Sequence, residues 1–348
     1  MTSGERLLLV GTAAITTIAG VLRYSDAGAV PAFVAATLAL AALAWVVAVA
    51  TEQVGMQFGP AVTGYLQATL GNLPELFVVL FALGHGELVV AQTSLVGSIL
   101  ANALLVQGLV IVTGVLASDD DLMRFRTRLP QDAATLGLVT LFVIVVVGLA
   151  IESSTEASHH VQGLSIVGAC SLLVVYGFWA WGYLRSDVPP PEGARPRLPF
   201  GVSIGLLVAG AVGAAFVSDW FIHALDPAVE SLGISKAFAG LVIVGIAGNA
   251  VEHVTSIFLA ARRRYDVAIS VVKNSAAQIA AFLFPALVLI SIPFDTSLTF
   301  ALPTVYIGAL FITGIVSWQI TGDGEARIFE GVALVAIYVV LAAFTLYD

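Results

Sequence analysis

Apolar stretches close to twenty residues long recur from one end of this chain to the other, and they decide what it can become. About 20 apolar residues cross the hydrocarbon core of a bilayer as a helix. In lipid the backbone must satisfy its own polar groups, so such runs fold as helices. Eleven spans can be drawn, near 7–23, 29–50, 60–84, 88–114, 133–151, 163–184, 200–222, 236–261, 266–290, 300–319 and 327–347. The expected fold class is an all-α polytopic membrane protein. Of the 348 residues, 59% are hydrophobic and 11% charged, whereas a soluble domain carries about a quarter charged residues. Arg6 before an apolar run looks like the start of a signal peptide. No small-residue cleavage site leads into a polar region, so 1–28 reads as an uncleaved N-terminal transmembrane helix.

The formal net charge of -9, with no basic stripe among aromatics, excludes nucleic acid as a partner. Cys170 is the sole cysteine, which excludes an intramolecular disulfide and argues against a Cys-ligated metal; it is expected as a small buried hydrophobe. Twelve arginines against two lysines, amid abundant Ala, Gly and Val, point to a GC-rich bacterial genome. Oligomeric state is not readable from these features.

Basic residues orient the spans. Arg6, Arg124, Arg126, Arg128, Arg185, Arg195, Arg197, Arg262, Arg263, Arg264 and Arg327 all fall on one side of an eleven-span layout, against Arg23 and Lys236 on the other. The positive-inside rule then places the N-terminus in the cytoplasm of a multi-pass protein of the cell (inner) membrane. The connector 185–199, with Pro189, Pro190, Pro191, Pro196 and Pro199, reads as a cytoplasmic Pro-rich linker. It separates five spans in 29–184 from five in 200–348. Five is odd, so the two five-helix repeats run in opposite directions through the membrane, the pattern of an inverted repeat.

The halves can be superposed by sequence. Gly71-Asn72-Leu73-Pro74-Glu75 matches Gly248-Asn249-Ala250-Val251-Glu252 at an offset of 177. Held without gaps, that offset also aligns Phe81 with Phe258, Ser98 with Ser275 and Ala103 with Ala280. Gly71 and Gly248 weaken a helix in mid-span, and Pro74 removes a backbone donor. Broken helices of this kind hold ions in transporters. Asn72 and Glu75, three apart, share one face, and Asn249 and Glu252 repeat the geometry from the opposite side. The following spans add Ser98 with Asn102 and Ser275 with Gln278, each pair on one helix face. Polar groups at such depth are costly and seldom idle.

Together these side chains form an oxygen cage with two carboxylates. Hard cations such as Ca2+ take six to eight oxygens, some anionic, and two glutamates balance one divalent ion. Without metal the two charges repel in a desolvated site, so protons must replace the ion. The transported species are then Ca2+ and H+, with no cofactor.

At these residues the chain resembles the calcium/cation antiporter superfamily, specifically its Ca2+/H+ exchanger branch. The carrying stretches are ATEQVGMQFGPAVTGYLQATLGNLPELFVVLFAL (50–83), TSLVGSILANALLVQG (93–108), ISKAFAGLVIVGIAGNAVEH (234–253) and NSAAQIAAFLFPALVL (274–289). The resemblance implies that Glu75 and Glu252 are ligands shared by cation and proton, supported by Asn72, Asn249, Ser98, Asn102, Ser275 and Gln278. It also implies alternating access, with the first two spans of each half moving across a fixed core. Glu252-His253 matches the second-repeat pattern, making His253 a candidate for proton transfer. Two departures stand out. Gly245 occupies a position where the family often has proline, and Lys273-Asn274 replaces an apolar residue and a glycine before Ser275.

The alternative keeps the fold and changes the ions to Na+/Ca2+, Na+/H+ or Mg2+/H+. Sodium-coupled relatives carry a further carboxylate in the second core span, and Ser98, Asn102, Ser275 and Gln278 supply none. An intramembrane enzyme would need a second His at metalloprotease spacing after Glu252-His253, and none follows.

Overall fold

The computed structural model describes residues 3–25, 28–58, 62–63, 66, 69–185 and 196–348. The helices are α1 (Ser3–Arg23), α2 (Ala29–Gly55), α3 (Leu73–Gly84), α4 (Leu88–Ala117), α5 (Arg128–Glu152), α6 (Val161–Leu184), α7 (Phe200–Leu232), α8 (Lys236–Gly248), α9 (Ala250–Ala261), α10 (Tyr265–Ile290), α11 (Thr304–Thr321) and α12 (Ile328–Tyr347). Among the described residues nine helices are long and apolar enough to cross a membrane, or ten if the bent pair α8–α9 is counted as one span. The chain is thus an all-α polytopic membrane protein. The expected span 60–84 is represented by α3, whose 12 residues are too short to cross alone. Positions 60–61, 64–65 and 67–68 of that span lie outside the described residues, as do Pro189, Pro190, Pro191 and Arg195 of the linker.

α7 overruns its expected end at 222 and reaches Leu232 with Pro227 inside it. His223, Asp226 and Glu230 read as loop because they end the apolar run. Beyond the hydrocarbon zone a helix tolerates polar residues on its outer face, and here Ala224, Leu225, Ala228 and Val229 are buried on its inner one. Cys170 is exposed, not buried. It sits on α6 at the periphery, where a small apolar side chain loses nothing by facing lipid instead of protein.

The loops rich in arginine converge at one end. Strand β1 (Met123–Arg124) pairs antiparallel with β2 (Glu325–Ala326). Arg263 grips Asp119 through two bonds of 2.6 and 2.7 Å, and the Arg126 amide donates to Asp266 at 2.7 Å. Arg197 pairs with Glu5 at 2.6 Å and donates its amide to Gln53 at 2.7 Å. At the opposite end Lys236 joins Glu87 and Asp226, both at 2.8 Å, and so ties α7 to the start of α4.

Two packing units position the site. α2 and α7 lie side by side, with Gly210 and Gly213 of α7 against Val46, Val47 and Leu43 of α2, and Phe33 and Phe221 with ring centroids 4.8 Å apart. In the core, α4 crosses α8 with backbones touching. A Cβ on Gly245 would stand 2.7 Å from the Gly97 carbonyl carbon. That accounts for the glycine at 245, since small residues let membrane helices approach this closely.

Candidate functional site

The break between α8 and α9 bends the span by 59°. It falls at Asn249 (φ -109°, ψ 17°), whereas Gly248 is still helical. Gly248 does a different job from the helix-breaking expected of it: the nearest atom to a Cβ there would be Glu75 Cγ, at 2.8 Å. The missing side chain makes room for the carboxylate of the other half. Asn72 takes the equivalent place before α3 (φ -88°, ψ 13°), with Pro74 in the first turn, where no intrahelical N–H is required.

Glu75 is 2% exposed. Its Oε1 accepts from the Ser98 hydroxyl on α4 and from Asn249 Nδ2 at 2.7 Å. The donors therefore come from both halves of the sequence. Asn249 Nδ2 also donates to the Gly245 carbonyl at 3.2 Å, and its Oδ1 accepts from Ser275 at 3.4 Å. Asn102 turns its amide nitrogen to the Ser98 carbonyl at 2.9 Å. Glu75 Oε2 and Asn102 Oδ1 are buried acceptors with no partner. Each hydrogen bond to a charged group contributes about 1.5–3 kcal/mol, so Glu75 is firmly oriented through one oxygen while the other stays available.

Glu252 lies half-buried in the first turn of α9, three residues after Asn249, which bonds to Glu75. Asn72 is buried at the start of α3. Gln278 is buried on α10 without a hydrogen bond to either glutamate. His253 is buried, with Nε2 unpartnered and its amide donating to the Asn249 carbonyl at 3.0 Å. Glu75, Ser98, Asn249 and Ser275 are thus joined by hydrogen bonds, with Asn102 one link away. His253 follows Glu252 and Gln278 follows Ser275 by three residues, and among the described residues neither is joined to a carboxylate of the site.

Two features lay beyond sequence reasoning. π-helical turns occupy Ala101–Val106 in α4 and Ile279–Leu283 in α10, one containing Asn102 and the other directly following Gln278. Such turns insert a residue and recur at functional sites. The second feature is the partner of Lys273. Its Nζ donates to the Ser317 carbonyl at 3.0 Å and the Ser317 hydroxyl at 2.5 Å, and that hydroxyl donates to Gln107 Oε1 at 2.7 Å. Lys273 does not reach the glutamates. Gln107 and Ser317 were findable as polar residues within apolar spans.

Chemically, the site offers two carboxylates, amide oxygens and hydroxyls. No group of three or more His, Cys, Asp and Glu gathers among the described residues. Such a donor set suits a hard cation that accepts neutral oxygens and fits poorly with a softer transition metal.

The chain matches the family described as sodium/calcium exchanger protein over residues 28–184 and 202–347. It is similar to a Ca2+/H+ antiporter of Synechocystis sp., 32% identical over 345 residues and covering 90% of each chain. It is likewise similar to the Ca2+/H+ antiporter ChaA of Bacillus subtilis, 32% identical over 306 residues, covering 84% of this chain and 85% of that one. Among solved structures, the Ca2+/H+ antiporter YfkE superposes with a TM-score of 0.81 at 27% identity, over 99% of this chain and 100% of the other. The H+/Ca2+ exchanger CAX shares the fold with a TM-score of 0.76 at 16% identity, over 99% and 93% of the two chains.

Proposed function

We propose that this chain, which belongs to the sodium/calcium exchanger protein family and to the Ca2+/H+ exchanger branch of the calcium/cation antiporters, exchanges Ca2+ for H+ across the cell membrane by alternating access. The observation that carries the reading is the Glu75 carboxylate, with one oxygen accepting donors from both halves and the other unpartnered.

In the arrangement seen, Ser98 and Asn249 present hydrogens to Glu75. A cation between Glu75 and Glu252 needs oxygens instead. The Ser98 hydroxyl rotates to offer a lone pair, and Asn249 presents Oδ1, which Ser275 now holds at 3.4 Å. Asn102 Oδ1 is already without a donor. Asn249 Nδ2 keeps its bond to Glu75 Oε1 and so favours the charged carboxylate, while Glu75 Oε2 faces the ion; protons occupy the two glutamates when the ion leaves. Asn72 and Gln278 add oxygens from the start of α3 and from α10, and His253 passes protons beside Glu252. Two carboxylates balance either one Ca2+ or two protons, so neither cargo crosses with the other.

For alternating access, the close packing of α8 on α4 supports a reading in which α2 and α7 move and α8 does not. α8 is fixed to α4 backbone to backbone at Gly97 and Gly245, which leaves it in the stationary core. The exchanger uses the proton gradient to expel Ca2+ from the cytoplasm, and no enzymatic step is involved. No carboxylate at Ser98, Asn102, Ser275 or Gln278 provides for sodium.

The test is reconstitution in liposomes with an imposed pH gradient. Proton-driven Ca2+ uptake is expected in the wild type, with or without Na+, and is abolished in Glu75→Gln and in Glu252→Gln. Uptake that survives both substitutions, or that requires Na+, would overturn the reading.

A further inference from the structure

We propose that the crevice between α4, α5, α10 and α11 is a binding slot for an anionic phospholipid, whose phosphate engages Lys273 and whose acyl chain lies along the apolar wall. The crevice has a volume of about 70 Å3, several times the roughly 10–15 Å3 that one water needs. Its walls include Ile99 and Ala103 of α4, Leu141 and Ile144 of α5, Ala280 of α10 and Leu310 of α11. It reaches the lipid-facing surface at Leu138, which is 37% exposed.

Its polar end is formed by Lys273 and Ser317. Lys273 is 6% exposed. An ammonium has three donors, and both hydrogen bonds it makes go to Ser317. Among the described residues no carboxylate pairs with Lys273, and its third N–H has no acceptor. A lone charge at this depth is costly unless an opposite charge joins it. Geometry says where that charge comes from. Ser317 is four residues before the end of α11 at Thr321, so at 1.5 Å per residue it lies about 6 Å below the helix end. Lys273 leans toward that end, the one where the arginine-rich loops gather. The deepest wall residue of α5, Ile144, is sixteen residues past Arg128, or about 24 Å along the helix. The slot therefore has its cation near headgroup level and an apolar length below it. Basic pockets between spanning helices bind anionic headgroups in the same manner.

The test uses the purified full chain in detergent with equal phosphatidylglycerol and phosphatidylcholine, and bound lipid is counted by native mass spectrometry. The wild type is expected to retain one phosphatidylglycerol, at least tenfold over phosphatidylcholine. Lys273→Met loses the preference and Lys273→Arg keeps it. If Lys273→Met does not fold, Gly137→Leu decides. Gly137 lines the crevice, and a Cβ there meets nothing within 4 Å, so the leucine fills the slot while leaving the ammonium in place. It is expected to lose the bound lipid. No preference in the wild type, or an undiminished preference in Gly137→Leu or in a folded Lys273→Met, would overturn the proposal.

Discussion

Gly248→Ala adds one methyl group at a place where the structure says what it must displace. The three atoms nearest to that Cβ all belong to Glu75: Cγ at 2.8 Å, and Cδ and Oε1 at 3.4 Å. Ordinary contact begins near 3.4 Å, so Cγ must retreat by about 0.6 Å to reach normal van der Waals separation. If the carboxylate follows, the 2.7 Å bond from Asn249 opens to about 3.3 Å, past the well-formed range. Losing a hydrogen bond to a charged group costs about 1.5–3 kcal/mol, and every 1.4 kcal/mol is about tenfold. Gly248→Ala should therefore raise the KM for Ca2+ by about 10- to 150-fold. The assay is Ca2+-concentration dependence of proton-driven uptake in liposomes. Gly84→Ala serves as control, because it lies on the same helix as Glu75 and its Cβ meets nothing within 4 Å. A folded Gly248→Ala protein with KM and maximal rate within twofold of wild type would refute the close approach of Glu75 to Gly248 as a functional contact.

Two further outcomes follow from the same geometry. Ser98 donates directly to Glu75, whereas Ser275 reaches only Asn249, at 3.4 Å; Ser98→Ala should raise the KM for Ca2+ by about tenfold or more and Ser275→Ala by less than about threefold, read in the same uptake assay. At the arginine-rich end, the Arg263 guanidinium holds the Asp119 carboxyl below its ordinary value of 3.8. A depressed carboxyl adds stability above that value and loses it as pH falls through the folded one. Thermal melts in detergent should show Asp119→Asn slightly below wild type at neutral pH, the gap closing below 3.8 and shrinking in high salt because both partners are exposed.

Hydrophobic length and repeated polar motifs were legible in the sequence because lipid makes each of them expensive to place at random. Glu75, Ser98, Asn249 and Ser275 are joined by hydrogen bonds. What escaped was set by three-dimensional fit. The break falls at Asn249 instead of Gly248 because the glycine is needed for clearance, and clearance depends on a residue 173 positions away. The π turns at Ala101–Val106 and Ile279–Leu283 leave no composition signal, since the mostly apolar residues that form them fit an α-helix equally well. Lys273 looked anomalous by position. Only its long side chain, whose methylenes carry the ammonium away from its backbone position, shows why it ends at Ser317 and not at the cage. Cys170 was misplaced because apolar character separates core from surface in water and does not separate core from lipid.

The sharing of Glu75 Oε1 between Ser98 and Asn249 has a consequence for inheritance. One atom is addressed by segments that lie on opposite sides of the Pro-rich connector. A gene fragment encoding either half would supply an acceptor without one donor, or a donor without its acceptor. Lesions in the two halves should then be coupled: once Ser98 no longer donates, Asn249 is the remaining donor to that oxygen, and neither half can drift without the other recording it.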